Sequence, residues 1–137
     1  MVKIIAATTI VDGQCQGELI YSKQSFSFFG GFDFKTGTVV DPKSDVFGKC
    51  LKDKIFAYPR GKGSSSTAGV ILEALRRGLA PKAIINIDSE KILAVGSIVA
   101  QVVFDWKLPL LSISEEDFQL LSQVRHVKIS QGFLELS

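Results

Sequence analysis

Apolar and polar residues alternate at the start of the chain, from Val2 to Val11, and the β-branched residues there predict a strand that stops at Asp12-Gly13. That dipeptide is a turn signal, so with the apolar run Glu18 to Ser22 it predicts a strand pair. Between Ser25 and Gly37 the pattern breaks, and five of the ten phenylalanines (Phe26, Phe28, Phe29, Phe32 and Phe34) crowd around Gly30-Gly31. Such a cluster is either a core plug under a loop or an exposed contact patch, and the general burial of apolar clusters favours the plug. Thr38-Val39-Val40 predicts a short strand ended by Asp41-Pro42, followed by a polar, glycine-punctuated connection over 42–53.

The pattern then sharpens. Ile55-Phe56-Ala57-Tyr58 is a strand run stopped by Pro59, and Gly61-Lys62-Gly63 with Ser64-Ser65-Ser66 reads as a tight loop. Ala68, Ile71, Leu72, Leu75 and Leu79 recur at helical spacing, which predicts a helix over 67–77 with those residues on its buried face. Arg76 and Arg77 give it a basic last turn and Gly78 a C′ glycine. Ala83 to Ile87 is another strand-length run, and a right-handed crossover sets it parallel to Ile55 to Tyr58 as one βαβ unit. Ile92 to Val95 reads as a further strand, while Ile98 to Val103, opened by Gly96-Ser97, fits a buried helix or a strand equally. Ser114-Glu115-Glu116-Asp117 resembles a capping box ahead of Phe118, Leu120 and Leu121, and predicts a short helix. Val127 to Ile129 and Phe133 to Leu136 around Ser130-Gln131-Gly132 predict a closing hairpin, with His126 at its start in a structural rather than catalytic place. The whole is an α/β fold of mostly β content, one domain over 1–137.

Composition narrows the class. A chain of 137 residues suits one ordinary domain, and 46% hydrophobic with 22% charged residues excludes wholesale disorder. A net charge of +2 without a basic run argues against a dedicated nucleic-acid binder. The first apolar run is interrupted too soon for a signal peptide, and no run approaches the roughly 18 apolar residues of a membrane span, so a cytoplasmic location is expected. Cys15 and Cys50 lack metal-ligand spacing and have only His126 to join them, so buried free thiols and no metal on this chain are expected.

The loop before the predicted helix carries the candidate chemistry. First-turn amides have no intrahelical partners and carry the positive end of the helix dipole, while glycines let a ligand approach the backbone. An anion is favoured there, and Arg60 and Lys62 add positive charge that would also ease formation of a serine alkoxide. A simple serine N-cap explains the same residues. The phosphate-binding P-loop pattern fails at Phe56 and Gly63, and the nucleophile elbow fails at Thr67. The dinucleotide fingerprint has Ser66 where glycine or alanine belongs, but Asp88 after the next strand run keeps nucleotide binding open.

Three stretches together resemble the small-subunit or swivelling domain of the aconitase X family over nearly the whole chain. They are Ser27-Phe28-Phe29-Gly30-Gly31-Phe32-Asp33 with Thr36-Gly37 and Asp41; Pro59-Arg60-Gly61-Lys62-Gly63-Ser64-Ser65-Ser66; and Gly78-Leu79-Ala80-Pro81-Lys82-Ala83-Ile84-Ile85. The resemblance implies a β-rich, β/β/α barrel-like swivelling domain that closes on a large subunit carrying an iron-sulfur cluster or iron. It implies Ser64 as proton acceptor, with Ser65 the second candidate, and Arg60, Gly61, Lys62 and Gly63 as the substrate-binding loop. Gly31 and Asp33, beside Gly30, match a second loop on the same face. The activity implied is that of a hydro-lyase acting on a small anionic molecule, 5-phosphomevalonate of the mevalonate route to isoprenoids or alternatively cis-3-hydroxy-L-proline. No nucleic acid or membrane partner is expected. A non-catalytic subunit that holds an anion or nucleotide is the alternative of another class.

Overall fold

In the computed structural model, which describes residues 3–62 and 65–137, the N-terminal run bends at Ala7 into two strands, β1 (Lys3–Ala6) and β2 (Thr8–Val11). The remaining strands are β3 (Cys15–Tyr21), β4 (Phe32–Asp33), β5 (Thr38–Val39), β6 (Ile55–Ala57), β7 (Ala83–Asn86), β8 (Leu110–Ser112), β9 (His126–Ser130) and β10 (Phe133–Leu136). Between them lie the irregular turn α1 (Phe28–Gly31) and the helices α2 (Thr67–Arg76), α3 (Lys91–Phe104) and α4 (Glu115–Leu120).

Eight strands form one sheet in the order β1-β10-β9-β3-β6-β7-β8-β2. Its two ends are the two halves of the bent first run, so the sheet curls back on itself as a nearly closed barrel, stitched at the bend by Ala7 N donating to Gly132 O at 2.8 Å. β3 joins two pairing modes. Its first half is antiparallel to β9, with Cys15 opposite Ile129, and its second half is parallel to β6, with Leu19 opposite Ile55.

Strand alternation sorts the core into two bodies. Ile55 and Ala57 of β6 face the barrel interior with Leu19, Ile85, Val127, Ile129 and Leu134. Phe56 and the following Tyr58 face outward, into a second core under α2 and α3 that takes in Phe26, Phe28 and Phe32. Phe26 sits 5.0 Å from the ring centres of both Phe28 and Phe56, nearly perpendicular to each, the edge-to-face arrangement aromatic quadrupoles favour. The phenylalanine-rich stretch is therefore mainly a core plug; Phe29 is the exception, 56% exposed.

The parallel β6–β7 pair, the capped α4 and the final hairpin match the sequence pattern. Asp117 N donates to the Ser114 cap at 3.1 Å, and Gln131 and Gly132 turn the hairpin with φ of 52° and 80°. Four expectations need correction. Asp12-Gly13 makes no hairpin, because β2 pairs with β8 while β3 pairs with β9 and β6; Gly13 instead admits the Pro109 ring, which a Cβ there would overlap. The strand expected at 92–95 and the undecided 98–103 are one helix, α3. Gly96 lets α3 rest on α2, where its Cβ would meet Ala68 Cα at 3.0 Å, and the Ser97 hydroxyl donates to Leu108 O at 2.6 Å, so neither residue breaks the helix. The fully buried line of α2 is Thr67, Ile71 and Ala74, while Ala68, Leu72 and Leu75 are partly covered, since the helix leans on α3 as well as on the sheet. Finally, Cys15 is half-buried and Cys50 is exposed, bridging to Thr38 at the outer margin of the β4–β5 ladder.

No described helix is long and apolar enough to cross a membrane. The outward face of α3 is nevertheless apolar, with Val95, Ile98, Val102 and Val103 exposed.

Candidate functional site

β6 and β7 run parallel, so the connections that leave them emerge at the same edge of the sheet, where open α/β sheets place their ligand sites. Hydrogen bonds continue past the ladder. Tyr58 N donates to Ile85 O at 3.1 Å, and Ile87 N and Asp88 N both donate to Pro59 O at 2.9 and 3.2 Å. The buried Asn86 side chain donates from Nδ2 to Tyr58 O at 2.8 Å. On the other side, Phe26 N donates to Arg60 O and Lys62 N to Phe26 O, each at 3.1 Å, a two-bond clamp around Gly61. The backbone of 58–62 is thus tied to neighbours on both sides.

The motif residues do not all face one way. Ser65 and Ser66 line an open groove of about 710 Å³ that runs beside α2, with Phe29, Phe34, Lys35 and Arg77 on its walls. Arg60 lines a different cleft of about 450 Å³, with Tyr21, Lys23, Glu115 and Phe118, and its Nε holds Asp88 Oδ2 at 3.0 Å. Lys62 is exposed at the clamp. Ser64 and Gly63 lie outside the described residues.

The second loop borders the same groove through Phe29 and Lys35. Gly31 is buried against the Phe26 ring, and Gly31 O accepts Val40 N at 2.9 Å. Asp33 is occupied with its own turn. Its Oδ1 accepts Lys35 N at 2.9 Å and its Oδ2 accepts the Thr36 hydroxyl at 3.2 Å. Gly30, at φ 87°, supplies the left-handed bend that an ordinary residue resists.

α2 begins after its N-cap position, Ser66, and has no acidic residue in its first turn, so the positive end of its dipole is not offset there. Beside it, Thr67 Oγ1 is buried without a hydrogen-bond partner, and so is Ser89 Oγ on the second connection. Unpaired buried hydroxyls cost stability, so each departs from a fully satisfied core.

One residue here was invisible in the sequence. Glu90, at the end of the β7–α3 connection, lays its carboxyl group directly against Gly61, where a Cβ would overlap all three carboxyl atoms. The fully buried Tyr58 hydroxyl donates to Glu90 Oε2 at 3.3 Å. Burial pushes the Glu90 carboxyl above its ordinary range, partly offset by the Tyr58 hydrogen bond, and burial together with the Glu90 charge pushes the Tyr58 phenol well up. Nothing local distinguishes Glu90 from any other polar residue ahead of a helix; only the meeting of two connections brings it to Gly61.

His126 pairs with Glu18, by the start of β6 and so at the end of the barrel away from this loop. Among the described residues no group of three or more His, Cys, Asp or Glu side chains comes together to hold a metal ion.

The chain belongs to the aconitase X swivel-domain family, whose model matches residues 4–136. It is 39% identical over 135 residues to the phosphomevalonate dehydratase small subunit of Methanococcoides burtonii, covering 96% of this chain and 94% of that one. It is also 39% identical over 125 residues to the cis-3-hydroxy-L-proline dehydratase of Hypocrea jecorina, covering 91% of this chain but only 21% of that one. Among solved structures, the crystal structure of Thermococcus kodakaraensis aconitase X in its holo-form matches with a TM-score of 0.84 at 32% identity, over 98% of each chain.

Proposed function

We propose that this chain is the small, swivelling subunit of a hydro-lyase that removes water from (R)-5-phosphomevalonate to give trans-anhydromevalonate 5-phosphate, acting with a large subunit. The observation that carries this reading is the near end-to-end match to a phosphomevalonate dehydratase small subunit, over 94% of that chain's length. In the hydroxyproline enzyme the same fold is a fifth of one longer chain, which supports a second, larger body as the partner of this one. The exposed apolar row of α3 supports the same need for a covering partner.

Elimination of water from a β-hydroxy acid needs a base for the proton beside the carboxylate and a Lewis acid for the departing hydroxide. In this reading the Lewis acid is an iron-sulfur cluster or iron in the large subunit; the described residues of this chain do not fit such a group, since no metal-holding cluster forms among them. This chain supplies the base, Ser64, presented by a connection whose stem is clamped by Phe26. The N-terminus of α2, three residues on in sequence, and Lys62, two residues before, lower the cost of a negative charge on oxygen. Closure of the swivelling domain on the partner brings base and substrate together and excludes water. Lys62, exposed two residues before Ser64, favours a substrate with two anionic ends over hydroxyproline, whose second charge is an ammonium, whereas Arg60 is paired with Asp88 in the other cleft.

The test is reconstitution with the iron-containing large subunit and assay of both compounds. Dehydration of 5-phosphomevalonate, none of cis-3-hydroxy-L-proline, and no turnover by the chain alone are expected. The reverse preference would assign the amino-acid dehydratase. Anion binding without elimination of either compound would assign a non-catalytic binding subunit.

A further inference from the structure

Gly61 is held between two unlike surfaces. On one side is the backbone of Phe26, bonded to Arg60 O and Lys62 N at 3.1 Å. On the other is the carboxyl group of Glu90, so close that a methyl on Gly61 would overlap it. That carboxyl group has a partner of its own. Its Oε2 accepts the hydroxyl of Tyr58 at 3.3 Å, and the Tyr58 ring is fully buried, 4.9 Å from the Phe56 ring and 5.6 Å from that of Phe26. Its backbone has partners as well, because Glu90 O accepts Ala94 N at 3.0 Å in the first turn of α3 and the preceding residues hang on Pro59 O.

We propose that Glu90 is a positioning residue: its carboxyl group is the wall that seats Gly61 against Phe26 and so fixes the stem, Arg60 to Lys62, that precedes Ser64 in the chain. The contact requires both partners. Any side chain at position 61 displaces Glu90, and a short side chain at position 90 leaves Gly61 with a gap behind it. Burial favours the neutral carboxyl, which suits a group used for its shape and its hydrogen bond rather than for its charge. The inference rests on the reading of this connection as the catalytic segment, because only then does its course control turnover.

The experiment compares Glu90→Ala, Glu90→Gln, Gly61→Ala and the Gly61→Ala/Glu90→Ala pair, each assembled with the large subunit and assayed on 5-phosphomevalonate. Misplacing a base by about 1 Å costs up to about a hundredfold, so kcat is expected to fall by at least about tenfold in Glu90→Ala and in Gly61→Ala. Glu90→Gln keeps the shape and an acceptor for Tyr58 and is expected to stay within about threefold of the parent, with KM little changed. The paired variant is expected to lose no more than the worse single change, since the new methyl occupies space the carboxyl group vacated. Parent-like turnover in Glu90→Ala, or additive losses in the pair, overturns the proposal. A Glu90→Gln loss equal to that of Glu90→Ala also overturns it, and makes the carboxyl a proton-transfer group.

Amide hydrogen exchange on the full chain without its partner decides the same question independently of activity. Glu90→Ala is expected to speed exchange at Lys62 N, now bonded to Phe26 O, by at least about tenfold, and Glu90→Gln to leave it unchanged. Unchanged exchange in Glu90→Ala overturns the inference. An inactive parent complex with the expected exchange pattern overturns only the assigned reaction.

Discussion

The connections leaving β6 and β7 start as neighbours on parallel strands and end in opposite characters. The first carries two glycines, two cations and three serines before α2; the second is short and acidic, with Asp88 and Glu90 before α3. The second is tied on two sides. Besides the two amides on Pro59 O, Ser112 Oγ donates to Ile87 O at 2.5 Å and Ile113 N to Asn86 O at 2.9 Å, binding it to β8 as well. The difference shows a division of labour. On the proposed reading, the segment that lets a substrate approach its backbone is not packed from all sides, and its geometry is borrowed from an adjacent segment that is.

The contrast breaks most sharply at Ser64. Ser64→Ala in the assembled enzyme is expected to lower turnover by at least about a hundredfold while changing folding stability by no more than about 1 kcal/mol. Near-parent rates, or a loss confined to Ser65→Ala, would move the base along the loop. On the supporting side, Asn86→Ala is expected to cost about 1–3 kcal/mol in denaturant unfolding, because it strands the buried Tyr58 carbonyl. A cost below about 0.5 kcal/mol would show that this bond does not couple the connections. Asp88→Ala is expected to change stability by less than about 1 kcal/mol, since its ion pair with Arg60 is largely solvent-exposed, and any effect should shrink further at high salt.

The smallest expected effect is a pH slope. Because folding raises the Glu90 pKa, the folded state binds more protons than the unfolded state between the two values, and stability falls as pH rises through that window. Glu90→Gln is expected to flatten this part of the stability curve and leave the rest in place. A curve identical to the parent's would show that the carboxyl titrates as it does in the unfolded chain.

Much of this arrangement can be read along the chain because it depends on neighbours in sequence. The strand at Ile55, the helix after Ser66, the Ser114 cap and the Gln131-Gly132 turn follow from local rules, and each is found where those rules place it. Three glycines are ambiguous in sequence for a single reason. Gly13, Gly96 and Gly61 are places where Pro109, Ala68 and Glu90 approach from far along the chain, and a glycine that admits a distant neighbour looks the same in sequence as one that makes a turn or breaks a helix. The hairpin that does not form, the single helix read as a strand and an undecided run, and the unseen carboxyl group all come from that ambiguity. The same holds for Cys50, whose exposure is set by the distant edge it joins rather than by its apolar character.

The bend at Ala7 carries a kinetic consequence. Because β1 lies along β10, with Lys3 opposite Leu136, barrel closure joins segments at opposite ends of the fold and must wait on a long-loop search, whereas the β6–α2–β7 unit needs only local contacts. Refolding should therefore form that unit early and close the barrel late. A circular permutant that links the two ends and opens the chain in the exposed stretch near Gly48 turns the slow search into a hairpin, and should accelerate the late step without altering the glycine-serine edge.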